Sequence, residues 1–272
     1  MLHTSAETKP SSFPRTGLRS IALAGLLTCG LPLAASAQGL DAQGLAWVVD
    51  FDKCERRAGD AWKAANLERL LRSKAVLLSG VAVRLDIEQA SGPVLTKTWS
   101  YPEGLAGYLK ELAGDIEAVA PIFTAEKYAG KDDPTFATGE GAAWALAWFE
   151  SAVPSESYVN LIPTVNGGTH ESGLRAGVFE AMKSFIDHHT LLPRGVKLQQ
   201  EDVCGRMSFV LSARLLDPQF QGQVKEKLNS REAVKLVSSQ LRDPFEIWLN
   251  NHVEAGRAIA ELSIKQALAR QK

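Results

Sequence analysis

From Asn66 onward the apolar positions fall into regular registers. NLERLLRSKAVLL sets Leu67, Leu70 and Leu71 at helical spacing, and Gly80 stops the run. VAVRLDIEQ then alternates, with Val81, Val83, Leu85 and Ile87 on one face of a strand. SGP marks a turn and VLTKTWSY a second strand, so the two predict a hairpin. EGLAGYLKELAG predicts a short helix closed by Gly114, AVAPIFTAEKY a strand broken at Pro121, and KDDPTFATGEG a loop. AAWALAWFES fits helix or strand by period alone; its two tryptophans and its place between loops favour a strand. SYVNLIPT predicts a further strand, stopped by Pro163 and the paired glycines of VNGGTH.

The helical period is clearest in ESGLRAGVFEAMKSFIDHHTLLP, where Leu174, Val178, Met182 and Phe185 share a face and Thr169 is a suitable N-cap. MSFVLSARLL follows as a strand, with Met207, Phe209, Leu211, Ala213 and Leu215 on one side. A polar loop, QFQGQVKEKL, leads to a helix at SREAVKLVSSQLR. Asp243, Pro244 and Glu246 then carry the signature of a new helix start, from which PFEIWLNNHVEAGRAIAELSIKQALARQ could extend about 40 Å. Such a helix suits a projecting lever as well as it suits an ordinary packed element. Residues 40–62 have no clear period and read as a linker or an unrelated leader.

Composition narrows the picture only a little. The 272 residues carry a net charge of −1, which gives no bulk basic signal for nucleic acid. Any contact with DNA then needs a local patch or a basic partner. The chain is long enough to bury a sizeable core, and its three cysteines, Cys29, Cys54 and Cys204, show no metal-ligand spacing and read as inert thiols. Arg15 and Arg19 precede an apolar run that ends in Ala35-Ser36-Ala37, the layout of a secretory signal over residues 1–37.

No constellation of side chains declares a reaction. His188 and His189 are adjacent and point about 100° apart on a helix, so they do not share a metal. His170 reads as a residue that bonds backbone groups, and VNGGTH as a tight turn without the spacing of a phosphate cradle. There is no Ser-His-Asp order and no GxxxxGK[ST]. Arg194 and Lys197 in LPRGVKL form a small basic pair that suits either phosphate or solvent.

Longer stretches carry a resemblance. SYVNLIPTVNGGTHESGLRAG, LLPRGVKLQQEDV and DPQFQGQVKEKLNSREA together look like the B subunit of bacterial type IIA DNA topoisomerases, the family of the topoisomerase IV and gyrase B subunits. LERLLRSKAVLLSGVAVRL and GEGAAWALAWFESAVPSESYVNL extend the likeness upstream, so that it runs from about Asn66 to about Arg270. The matching region resembles the family's transducer domain. That implies an α/β (α+β) fold: a mixed sheet with helices on one side, a left-handed βαβ crossover and a long C-terminal helix. The implied divisions are a signal-like leader at 1–37, a linker or unrelated leader at 38–65, the transducer at 66–242 and the long helix at 243–272.

The resemblance also assigns a site. The family's loop after the strand carries Gln-Thr-Lys, matched here by Gln223, Val224 and Lys225. It implies that Gln223 and Lys225 reach the γ-phosphate of ATP in the nucleotide pocket of a preceding domain, with Lys225 supporting hydrolysis. Val224 stands where the family has threonine and loses a hydroxyl without touching either contact residue. Arg194 and Lys197 are the residues expected to face DNA. The implied cofactors are ATP and Mg2+, used by the parent enzyme and not held by this chain alone. The implied partners are the ATPase domain of a topoisomerase B subunit, the A subunit and DNA, with no membrane. The resemblance implies a cytoplasmic protein; the leader suggests, as the alternative, an exported binding or scaffold protein that reuses the fold.

Overall fold

An unbroken apolar run and an alternating one meet at the centre of the largest sheet. In the computed structural model, Gly141–Trp148 and Met207–Arg214 pair antiparallel in the middle of a five-stranded mixed sheet. The structure describes residues 64–78, 80–87, 93–223 and 225–272, together with the backbone of two strands at 35–41 and 44–49. Apart from that backbone, the expected leader at 1–37 and the expected linker at 38–65 lie outside the described residues as far as residue 63, as do Cys29, Cys54 and Val224; the last two linker positions open a helix.

The chain divides into two compact units, Met1–Ala75 with Val81–Ser100, and Val76–Gly80 with Tyr101–Lys272. Strands β1 (Ala35–Asp41) and β2 (Gly44–Val49) pair antiparallel where the sequence reads as leader and linker. Helix α1 (Ala64–Leu77) precedes the expected hairpin of β3 (Ala82–Ile87) and β4 (Leu95–Ser100), in register from Ala82 opposite Ser100 to Ile87 opposite Leu95.

The larger unit begins with α2 (Gly104–Ala113), which ends at Gly114 with φ 58°, as the sequence requires. The sheet follows, in the order β5 (Phe123–Tyr128), β6 (Gly141–Trp148), β9 (Met207–Arg214), β7 (Glu156–Val159), β8 (Ile162–Pro163). β6 is buried on both faces, which explains why its sequence lacks the alternation of a one-sided strand. β7 and β9 are parallel, joined through β8, α3 (Thr169–His188) and α4 (Gln200–Cys204); this is the βαβ unit of the fold. The predicted strand SYVNLIPT is in fact two. Asn160 and Leu161 take φ 49° and 67°, and this tight turn folds β8 back on β7.

Helix α3 presents Leu174, Val178, Met182 and Phe185 to the core, as its period predicts. It lies against α5 (Glu232–Asn251) closely enough that a Cβ on Gly173 would meet the Val234 carbonyl oxygen at 2.5 Å. Two helix ends differ from expectation. Thr169 does not cap α3: Gly168 is the cap, at φ 144°, and the Thr169 hydroxyl is buried without a partner. Asp243 does not start a helix: α5 runs unbroken through Pro244. The missing proline N–H is outweighed by burial, because Leu241, Phe245 and Leu249 on either side are fully enclosed by the core.

The long C-terminal helix is also corrected. The chain breaks at His252 (φ −128°, ψ 60°), and α6 (Val253–Gln271) packs on α4 instead of extending α5. Its Gly256 sits against the Phe185 ring, and Ile259 and Ala260 are fully buried. Arg270 fixes its end, donating to both carboxylate oxygens of the buried Asp202 at 2.9 and 2.8 Å and to the Lys197 carbonyl at 2.8 Å. The lever therefore gives way to a packed helix. No helix among the described residues is long and apolar enough to cross a membrane.

Candidate functional site

The polar loop that follows β9 is a hairpin without regular strands. Its arms are joined by Asn229 N–H donating to the Gln219 carbonyl and Gln221 N–H to the Lys227 carbonyl, both at 2.8 Å. The Ser230 hydroxyl accepts from the Gln219 N–H at 2.7 Å and ties the base of the loop to the start of α5. The returning arm is fastened to the turn before α3. Leu228 donates to Gly167 O at 3.0 Å and accepts from Thr169 N at 3.2 Å, while Asn166 N donates to Glu226 O at 3.0 Å. A Cβ at Gly168 would meet Leu228 N at 2.6 Å, so only glycine permits this approach. The paired glycines of VNGGTH thus form a turn, and the turn is the seat of the loop.

The tip lies between Gly222 (φ 78°) and Lys225 (φ 58°). Gln223 and Lys225 are both exposed, and among the described residues Lys225 makes no salt bridge. The acid beside it, Glu226, is occupied by the Asn166 amide at 3.0 Å. The tip accordingly offers an uncommitted cation and a carboxamide on a braced hairpin, a combination suited to meeting an anion.

Beneath the seat lies a buried hydrogen-bond chain. The Ser157 hydroxyl donates to Glu171 Oε1 at 2.6 Å and lies 2.7 Å from the Thr164 hydroxyl, which is 3.0 Å from His170 Nε2. With Ser157 donating to Glu171, the Thr164 proton points to Ser157, and His170 donates from Nε2. Nδ1 is then left as a bare acceptor, and it has no partner. Burial pushes the imidazole down to about 4, since a second ring proton would have nowhere to go. The expected bonds from His170 to backbone groups are replaced by this side-chain contact. Cys204 is buried, and burial pushes its thiol up to about 12, in keeping with an inert thiol.

Arg194 and Lys197 lie beyond the other end of α3. Pro193–Val196 form a turn, with Val196 N–H donating to Pro193 O at 3.2 Å and Gly195 at φ 82°. Both basic side chains are exposed there. That turn follows the C-terminus of α3 and the loop abuts its N-terminus, so about 30 Å of helix separates the two. Sequence reasoning passed over Phe220, whose ring lies 6.0 Å from the Lys225 ammonium. An aromatic inside an otherwise polar loop was the signal for it. It also passed over the Asp202–Arg270 clamp, for which no spacing rule exists.

The described geometry has counterparts. Residues 104–272 match the family model for DNA gyrase B. A separate model, for the lipopolysaccharide kinase (Kdo/WaaP) family, matches residues 34–91. The DNA topoisomerase 4 B subunit of Pseudomonas aeruginosa is 41% identical over 213 residues, covering 78% of this chain and 32% of that protein. The Escherichia coli protein of the same name is 38% identical over 213 residues, with the same coverage of 78% and 32%. The chain thus spans 32% of the length of these curated relatives. The 43K ATPase domain of Thermus thermophilus gyrase B, solved with an aminocoumarin, matches with a TM-score of 0.66 at 20% identity, over 84% of this chain and 58% of that one; the likeness is one of fold. The topoisomerase IV ATP-binding domain of Francisella tularensis, solved with a small-molecule inhibitor, matches with a TM-score of 0.63 at 26% identity, over 86% and 62%. The family model covers all of the larger unit from Gly104 onward, the loop and its seat included, and the chain belongs to the DNA gyrase B family.

Proposed function

We propose that the chain is the transducer portion of an ATP-dependent type IIA DNA topoisomerase, equivalent to that of a topoisomerase 4 B subunit, coupling ATP binding and hydrolysis to DNA strand passage. One observation carries the reading: in a chain of the gyrase B family, an exposed lysine without an ion pair stands at the tip of a braced loop. In this reading Lys225 and Gln223 meet the terminal phosphate of ATP held by a preceding ATPase domain. Lysine places a compact positive charge against phosphate oxygens, and the carboxamide of Gln223 donates its N–H groups to them. Phosphoryl transfer depends mainly on positioning and charge stabilisation, so one well-placed cation matters greatly. In this proposal the magnesium ion is held with the nucleotide in the ATPase domain. There it neutralises phosphate charge.

Release of the terminal phosphate removes the partner of Lys225. Because the loop is fastened at Asn166–Thr169 and at Ser230, its displacement is passed to the starts of α3 and α5 as a rigid shift. Arg194 and Lys197 are assigned to DNA, the A subunit completes the complex, and the cytoplasm is its place. Alone, the chain turns over no ATP.

The test compares Mg-ATP hydrolysis by the chain alone with hydrolysis by the chain fused behind the nucleotide-binding domain of a topoisomerase 4 B subunit. The expected result is turnover by the fusion only, reduced by about 10²-fold in Lys225→Ala. Turnover by the fusion that Lys225→Ala changes less than twofold would refute the assignment.

A further inference from the structure

We infer that Phe220 is a positioning residue for Lys225: its ring, fixed to the core, keeps the lysine side chain aimed at the loop tip, before and while its ammonium group meets a phosphate. The inference rests on the phosphate-contacting role proposed above for Lys225. Phe220 is half-buried and packs against the main hydrophobic cluster. Its backbone bridges that of Leu228, which is 1% exposed and in turn bridges Gly168. The ring is therefore the part of the tip that is tied to the interior.

Lys225 is otherwise held by little. The braced hairpin fixes its backbone at φ 58°, and it is the side chain that is left loose. Its side chain is exposed and has no salt bridge among the described residues. The Nζ nevertheless stands 6.0 Å from the centroid of the Phe220 ring, within reach of the attraction between a cation and an aromatic face. This contact suits a residue that must be aimed and still left free to bond. A carboxylate in the same place would compete with phosphate for the ammonium. An aromatic face takes up none of its three N–H donors, so the lysine can rest on the ring and make a charge-assisted bond at once. The neighbouring Glu226 accepts from the Asn166 amide through Oε2 and, among the described residues, forms no salt bridge with the lysine.

The test has a spectroscopic and a kinetic arm. In the 272-residue chain, the ε-methylene NMR signals of Lys225, assigned with Lys225→Arg, are expected upfield of the other exposed lysines because of the aromatic ring. Phe220→Leu returns them to the ordinary position and Phe220→Trp keeps them upfield. In the fusion with a nucleotide-binding domain, Phe220→Leu lowers ATP turnover about two- to fivefold, the value of an exposed cation–π contact that persists while the phosphate is bound. Phe220→Trp restores turnover, and Phe220→Leu adds no loss to Lys225→Ala. Lys225 signals indifferent to Phe220→Leu, or equal losses in the Leu and Trp variants, overturn the inference and leave Phe220 a packing residue. If the signals behave as expected but Lys225→Ala leaves turnover intact, the phosphate role of Lys225 fails, and positioning for it fails too.

Discussion

Acidification is expected to weaken this fold at a single buried imidazole before it reaches the carboxylates. His170 is fully buried, donates from Nε2 to Thr164, and has a bare Nδ1. Burial lowers it from 6.5 to about 4. The sign follows from proton uptake. Between those values the unfolded chain binds a proton at this side chain and the folded chain does not, so stability falls as pH drops through the interval. The gap corresponds to about 3 kcal/mol if the group contributes in full. Asp202 acts elsewhere on the scale. Its bond from Arg270, aided by the Gln199 N–H, holds it below the ordinary 3.8, so its contribution is present above that value and is lost only in stronger acid. Urea unfolding at pH 7 and pH 4.5 separates the two. The unaltered chain should lose about 2–3 kcal/mol over that range from His170, which moves the midpoint by about 1 M urea. His170→Gln, which cannot take a proton, should lose that much less. A variant whose stability falls in parallel with that of the unaltered chain would refute the reasoning, as would a His170 ring proton whose NMR signal titrates near 6.5.

Other perturbations test the packing. Gly173→Ala should destabilise by about 2–3 kcal/mol in chemical denaturation, because the new Cβ meets the Val234 backbone, which no rotamer change can move aside. Pro244→Ala should stabilise by about 1–2 kcal/mol, seen as a raised thermal midpoint. It restores an N–H toward the Gln240 carbonyl inside α5, and the gain falls short of the full proline penalty because proline also restricts the unfolded chain. Arg270→Ala should lower the thermal midpoint, because it strips two charge-assisted bonds from the buried Asp202 carboxylate. It should also speed amide hydrogen exchange in the last turns of α6 while leaving α5 protected.

What was legible in the sequence divides along physical lines. Period located the core face of α3, where the burial of one face repeats along the helix; alternation and the SGP turn located the β3–β4 hairpin, and alternating large apolar residues located β9, although both faces of that strand are buried. β6 needed more than period, since a strand apolar on both faces has no polar alternation to show, and its tryptophans supplied the decision. Helix ends were misread wherever a local signal met a stronger distant one. Asp243, Pro244 and Glu246 spell a helix start, yet Leu241 and Phe245 bury a continuous face across them. Thr169 is a fitting N-cap, yet the close approach of Leu228 to Gly168 moves the helix start and leaves the threonine hydroxyl enclosed. The candidate site shows the same division. The sequence places Gln223 and Lys225 in a polar loop, and the loop's seat, where Asn166 and Glu226 bond across 60 positions of sequence, is a product of the fold. Phe220 and Lys225 meet only once that hairpin has closed. A property of the folded loop, not of either residue, decides whether the cation is aimed, and this is why changing the ring should alter what the lysine does while leaving the lysine in place.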